Sequence, residues 1–440
     1  MQGGLGWVSY FSSMHREILH IAIPSIVTNI TVPLLGMVDI AITGHIGSAT
    51  AIGAISVGGL IFNMVYWLFN FLRMGTSGLT AQAFGQGHVE SQRRVLRIAL
   101  LVAVVSGVGI FLLQRPIEWM AHIIIAPTDA VWTLAITYFR IRIWAAPAVL
   151  ALFALNGWFV GMQNSRFPMY IAIGQNLLNI LLSLLLVFHY EMGIEGVALG
   201  TVCAQYAGLA AALFFVRRTQ YNPNSVAEVK ATSLRSSMKV YGHILLRMVC
   251  LIAVTTAFTS FGARQGDMLL AVNTLLIQLF ILFSYFCDGF ALAGEALVGK
   301  YVGAQDPASQ RLCIRQLFLW AGGVTLLFTA LYAVGGHSLL SLLTNDAAVV
   351  EASTPYFPWI LLVPLCGFAA FMWDGIYIGA TATSHMLYAL ALAAALFFGV
   401  WYLPLPLSAN HHLWFAFVLY LAARSLYQTL LAPKTLHLAR

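Results

Sequence analysis

Charged side chains are scarce in this sequence: 8% of its 440 residues are Asp, Glu, Lys or Arg, against about 25% in an ordinary soluble domain. That scarcity excludes a single soluble core of this length. Cysteine is also sparse. The five cysteines, Cys203, Cys250, Cys287, Cys313 and Cys366, form no CxxC pair and fall mostly within apolar segments, so they read as small hydrophobes rather than a disulfide or metal framework. Twelve histidines produce no HExxH spacing, which argues against a metal enzyme and against any bound metal or cofactor. Acids and histidines do not cluster at a loop, and no loop is large enough for a soluble active site. A membrane-embedded transferase is therefore the weakest of the alternatives. The first residues, MQGGLGWVSYFSSMHREILHIAIP, carry neither a basic leader nor a small-residue cleavage site, so the first apolar segment is expected to be retained.

What the sequence has instead is apolar length. Hydrophobic residues make up 60% of the chain, and about a dozen apolar runs recur along it. They are read at about residues 17–42, 50–75, 95–114, 131–156, 167–188, 194–216, 240–262, 268–298, 316–336, 352–379, 384–403 and 411–432. Each approaches or exceeds the roughly 20 residues needed to cross a bilayer as a helix. The expected fold is an all-α polytopic membrane protein of twelve transmembrane helices. Its formal charge of +7 does not point to nucleic acid, because the basic residues sit in short loops between the apolar runs. With a cytoplasmic N-terminus, Arg16, Arg93, Arg94, Arg97, Arg166, Arg217, Arg218, Lys230, Arg235, Lys239, Lys300, Arg311, Arg315, Lys434 and Arg440 fall on one side, while Arg115 and Arg264 fall on the other. The positive-inside rule then puts both termini in the cytoplasm.

The two halves resemble each other. Aligned so that Gly85 meets Gly303, FGQGHVESQRRVLR falls on VGAQDPASQRLCIR, Asn156-Gly157 meets Asp374-Gly375, and Gly161 meets Gly379. The longest polar connection, RRTQYNPNSVAEVKATSLRSSMK, lies between them. The expected organisation is a six-helix N-terminal lobe at 1–216, a cytoplasmic linker at 217–239 and a six-helix C-terminal lobe at 240–440. Six helices per repeat keep both lobes in one membrane orientation. They are thus pseudo-symmetric about the membrane normal, around a central cavity suited to alternating access.

A carboxylate at the centre of a membrane helix costs about 2.5–3.5 kcal/mol, so each one needs a reason. Asp39 lies in the outer third of the first helix, where either a solvated helix end or a functional site could account for it. Asp288 sits deeper and faces a cavity in this reading; Asp374 lies near a cytoplasmic helix end. Glu295 and Arg73 are expected to snorkel to the edge. Arg140, Arg142 and Arg247 are deep enough to want partners. In IGQNLLNILLSLLL, Asn176, Asn179 and Ser183 recur on one helix face, and Thr201 and Gln205 stand four apart in the next segment. The polar stripe is either helix-to-helix glue or an internal pocket in which Asp39 takes and loses a proton. Desolvation favours the second, since it disfavours the charged form of an acid.

Several stretches together carry a resemblance: AIPSIVTNITVPLLGMVDIAITGHIG, LRMGTSGLTAQAFGQG, LNGWFVGMQNSRFPMY, FCDGFALAGEALVGKYVGA and WDGIYIGATATSHM. They resemble the multidrug and toxic compound extrusion (MATE) family, in its DinF-like branch, over essentially the whole chain. The resemblance implies a multi-pass protein of the bacterial inner membrane that exports cationic or amphipathic organic compounds in exchange for H⁺ or Na⁺; the fold does not require an oligomer, and a monomer is expected. It also implies that Asp39 is the proton site, that the first helix bends at Pro24, and that Asn179 and Thr201 accompany the aspartate. Where relatives often have a second aspartate one turn beyond the asparagine, this chain has Ser183, which tilts the coupling ion toward H⁺. Asp288, Asp374 and Arg247 are the candidates for a supplementary role in the second lobe. A lipid-linked oligosaccharide flippase of the same superfamily is the alternative that Arg140, Arg142 and Arg247 keep open. A major-facilitator transporter is disfavoured by FGQGHVESQRR after the second helix.

Overall fold

A computed structural model describes residues 2–44, 49–125, 128–219, 233–344 and 346–436. Among these residues the regular structure is helical throughout. The N-terminal half contains α1 (Gln2–Gly44), α2 (Ala49–Leu68), α3 (Phe71–Gly85), α4 (Val89–Leu112), α5 (Gln114–Ile125), α6 (Asp129–Arg142), α7 (Ala146–Gly161), α8 (Arg166–Leu184) and α9 (Gly193–Thr219). The C-terminal half follows with α10 (Leu234–Ala263), α11 (Asp267–Gly303), α12 (Pro307–Leu343), α13 (Ala347–Ser353), α14 (Phe357–Gly379), α15 (Thr383–Trp401) and α16 (Ala409–Thr435). Among the described residues twelve segments, from Ser13–Asp39 to Ala409–Pro433, are long and apolar enough to cross a membrane. They coincide in order with the twelve expected from hydropathy, and the chain is a multi-pass membrane protein. The short helix α5 was not expected. Most of the expected linker, residues 220–232, lies outside the described residues.

The repeat seen in the sequence is built into the backbone. α3 ends where the amides of Gln86, Gly87 and His88 donate to the carbonyls of Gln82, Phe84 and Ala83. α11 ends with the same pattern at the equivalent place in the second half, from Ala304, Gln305 and Asp306 to Lys300, Val302 and Tyr301. Both turns pass through a left-handed residue, Gly87 at φ 73° and Gln305 at φ 56°, the conformation that closes a helix C-terminus. α7 and α14 end alike, through Gln163 at φ 64° and Thr381 at φ 53°. Close helix crossings repeat as well. A Cβ on Gly157 would collide with the Arg73 carbonyl, and one on Gly375 with the Ala291 carbonyl, so α7 lies directly on α3 as α14 lies on α11. Small residues permit such approaches where helices have no hydrophobic drive to associate in lipid.

The chain divides into two compact units, Val27–Met238 and Met1–Ile26 with Lys239–Arg440. This division differs from an N-terminal lobe of 1–216, because the front of α1 packs with the C-terminal helices. Polar and close-packed contacts explain it. Glu17 accepts from Lys300 Nζ at 3.1 Å and from the Tyr301 hydroxyl at 3.2 Å. The Trp320 indole donates to His15 Nδ1 at 3.0 Å. Gly289 on α11 leaves room for the carbonyl of Ala22 and the side chain of Ile26. Pro24 thus lies within a continuous helix, just before the residue at which α1 passes from one unit to the other.

Candidate functional site

The residues expected to accompany Asp39 come together in the unit Val27–Met238. Asp39 is 5% exposed, so the solvated helix end considered for it is not where it sits. The Asn179 side-chain amide on α8 donates to Asp39 Oδ1 at 3.3 Å. One turn earlier, Asn176 Nδ2 donates to the Thr31 carbonyl of α1 at 3.0 Å. Two amides on one face of α8 therefore hold α1 at two heights. One turn later, Ser183 Oγ is 3.5 Å from Asn179 Oδ1, at the long limit of a hydrogen bond. Asn179, Ser183 and Thr201 are buried. The hydroxyl of Thr201 donates to the Val197 carbonyl of its own helix at 3.0 Å, a bond to backbone rather than to Asp39. Gly200, its neighbour on α9, lets that helix approach Ser183 closely. A π-helical turn at Leu185–His189 follows the stripe, a feature found often beside functional sites.

Arg142 and Tyr138 on α6 form a second polar group in the same unit. Arg142, at the end of α6, is within electrostatic reach of Asp39, as is Tyr138 one turn before it. Arg142 Nη1 donates to the Tyr138 hydroxyl at 2.6 Å. Its guanidinium lies over the rings of Phe62 and Tyr138, at 5.0 and 5.5 Å from their centroids. Tyr138 is fully buried and occupies space that a Cβ on Gly58 would fill. Sequence reasoning singled out Arg142 as a deep cation but did not connect it to Asp39. The signal was available in the depth of both residues, but nothing in their spacing links α1 to α6.

The other two arginines expected to lie deep have carboxylate partners, but Arg140 is exposed and Arg247 is buried. Arg140 makes a two-point contact with Glu118 on α5, at 2.9 and 3.0 Å, and Arg115 approaches the same acid at 3.4 Å. In the second unit, Arg247 on α10 and Arg424 on α16 both donate to Asp374 Oδ2, while Gln428 Nε2 donates to its Oδ1 at 2.7 Å. Asp374, Arg247, Arg424 and Gln428 are all buried. Asp374 is thus the centre of an ion cluster between three helices, not an isolated acid. Asp288 is half-buried on α11 and acts electrostatically on Arg424. Glu295 does not snorkel: it is 2% exposed, in the part of α11 crossed by Gly379 of α14. Arg424, Gln428 and Glu118 were not singled out in the sequence.

Comparison with known proteins gives a consistent result. The MatE family model matches residues 24–185 and 244–403. DNA damage-inducible protein F of Escherichia coli (strain K12) is 37% identical over 424 residues, covering 95% of this chain and 92% of that protein. Multidrug export protein MepA of Staphylococcus saprophyticus is 23% identical, over 78% of this chain and 76% of its own length. The crystal structure of the Vibrio cholerae MATE transporter VcmN in the bent form has the same fold, with a TM-score of 0.85 at 16% identity over 98% of each chain.

Proposed function

This chain belongs to the MatE family, and from that premise we propose that it is a secondary antiporter of the bacterial inner membrane, exporting cationic or amphipathic organic compounds in exchange for H⁺. The observation that carries the proposal is the buried carboxylate of Asp39, on a helix shared by both compact units and bonded to the amide of Asn179 at 3.3 Å. A charged acid accepts that amide bond more strongly than a neutral one. Protonation therefore loosens α1 from α8. Movement is then expected where the helix is weakest, at Pro24, whose missing N–H removes one intrahelical bond. Alternating exposure of the acid to the two sides of the membrane couples its protonation to substrate release.

Energetics bound the stoichiometry. Expelling one monovalent cation against 100 mV costs about 2.3 kcal/mol, and one incoming proton returns the same electrical amount. A one-for-one exchange of that kind runs on the pH difference alone, about 1.4 kcal/mol per unit. A second proton would need a second acid. Asp374 is poorly suited, since its charge is matched by Arg247 and Arg424, which leaves Asp288 as the remaining candidate. Na⁺ is the alternative coupling ion. Ser183 offers it only a neutral oxygen where a second carboxylate would bind more strongly, which supports H⁺. The flippase reading loses force because Arg140 and Arg247 are already neutralised by Glu118 and Asp374.

Dye efflux from everted vesicles under an imposed pH gradient, and separately under a Na⁺ gradient, tests the proposal. Wild type should respond to the pH gradient, and Asp39→Asn at equal expression should lose that response. Full efflux by Asp39→Asn would remove Asp39 from the mechanism.

A further inference from the structure

We infer that a cavity at the start of α4 is a binding site for the phosphate headgroup of an anionic lipid. The inference stands apart from the export reading. The cavity has a volume of about 260 Å³ and lies in the unit Val27–Met238, where the ends of α3, α7 and α9 meet the first turns of α4. Fully buried Trp158 backs it and donates its indole N–H to the Gln92 carbonyl at 3.2 Å. Half-buried Phe84 and Met162 flank it, and Gln92, Arg93 and Thr219 bring polar groups to its lining. Gln92 is 6% exposed. Its side-chain amide donates to the Ala83 carbonyl at 3.4 Å, beyond the usual range of such a bond. Its side-chain oxygen accepts from none of the described residues.

The repeat identifies the kind of group that belongs there. In the alignment of the two halves, α4 meets α12 and Ser91 meets Ser309. α12 begins at Asp306, whose carboxylate accepts from the backbone N–H and from the hydroxyl of Ser309. The residue that meets Asp306 is His88. It gives α4 no side-chain cap, and its Nδ1 is buried without a partner. The first N–H groups of a helix have no intrahelical acceptor and favour an anion. One half of the molecule thus supplies that anion from its own chain, while the other half has a cavity and an arginine at the same place. Glu90, in the first turn of α4, is exposed and turned to Arg97 at 3.5 Å and Arg93 at 4.0 Å. Against this one acid, Arg93, Arg94, Arg97, Arg166, Arg217 and Arg218 stand at the same helix ends. Basic pockets between membrane helices are sites that anionic headgroups occupy. A lipid is favoured over a soluble anion because Phe84 and Met162 put an apolar flank at the ends of helices that cross the membrane.

Native mass spectrometry of the detergent-purified full chain, offered equal amounts of phosphatidylglycerol and phosphatidylcholine, tests the inference. Wild type should carry phosphatidylglycerol in preference. Arg93→Gln should lower the ratio of bound phosphatidylglycerol to phosphatidylcholine by about fivefold, the effect of one basic side chain near an anionic lipid. Arg94→Gln, at an exposed neighbour outside the lining, should leave the ratio unchanged. His88→Asp, which gives α4 the cap that α12 has, should lower the ratio and raise the thermal unfolding midpoint of the lipid-free protein. Equal losses in Arg93→Gln and Arg94→Gln would reduce the effect to general surface charge and overturn the site. Full preference retained by folded Arg93→Gln and His88→Asp would overturn it as well. Inorganic phosphate is the last arm: if it displaces the lipid and protects against heat as well as phosphatidylglycerol does, the cavity takes free phosphate and the lipid assignment fails.

Discussion

Asp39 and Asp374 are both buried acids in apolar helices, yet their surroundings give them different work. Asp39 accepts from a neutral amide, whereas Asp374 is clamped by two guanidinium groups and a glutamine. Removing one partner of a buried, hydrogen-bonded charge set costs about 3–5 kcal/mol, because the remaining charge is left uncompensated. Asp374→Ala should therefore lower the thermal unfolding midpoint in detergent strongly, and an unchanged midpoint would contradict a structural role for the cluster. At this scale the sequence was readable in part. Asp39 and Asn179 stood out because polar residues interrupt otherwise apolar runs. Arg424 and Gln428 did not, because in AARSLYQTLLAPK they lie near a helix end, where polar residues are ordinary. Their burial becomes visible only when α10, α14 and α16 are brought together.

Between elements, the contacts that repeat are backbone crossings rather than charges. Gly157 on α7 and Gly375 on α14, which meet in the alignment of the two halves, each lie against a carbonyl of the neighbouring helix. Any side chain there must push the helices apart, and overpacking of this kind costs about 1–3 kcal/mol. Gly157→Ala and Gly375→Ala should each reduce thermal stability. Gly399→Ala, in a helix position with open space around it, should raise it slightly, since glycine within a helix is worse than alanine by about 0.5–1 kcal/mol. Equal behaviour of all three variants would remove the crossings from the account. The repeat was legible because glycines and turn residues recur at fixed spacing. The helix α5 was not, because Arg115, Glu118 and His122 interrupt its twelve residues and blur the end of the preceding apolar run.

Over the whole molecule, α1 is the element that hydropathy describes least completely. As a sequence it is one apolar segment; in the structure its residues up to Ile26 pack with the C-terminal helices, while Val27 onward packs with the N-terminal ones. Composition cannot divide a uniform apolar helix, since only its partners, Lys300, Tyr301 and Trp320 on one stretch and Asn176 and Asn179 on the other, make the division. That division places Asp39 on a helix whose front packs in one compact unit and whose later residues pack in the other. Linkage demands that a substrate which favours ionised Asp39 also expel its proton. Proton release on substrate binding, measured with the purified full chain in weakly buffered detergent solution, tests this most directly. Wild type should release up to about one proton per dye molecule bound, and Asp39→Asn should release none while still binding dye; equal release from both proteins would contradict the assignment of Asp39 as the coupling site.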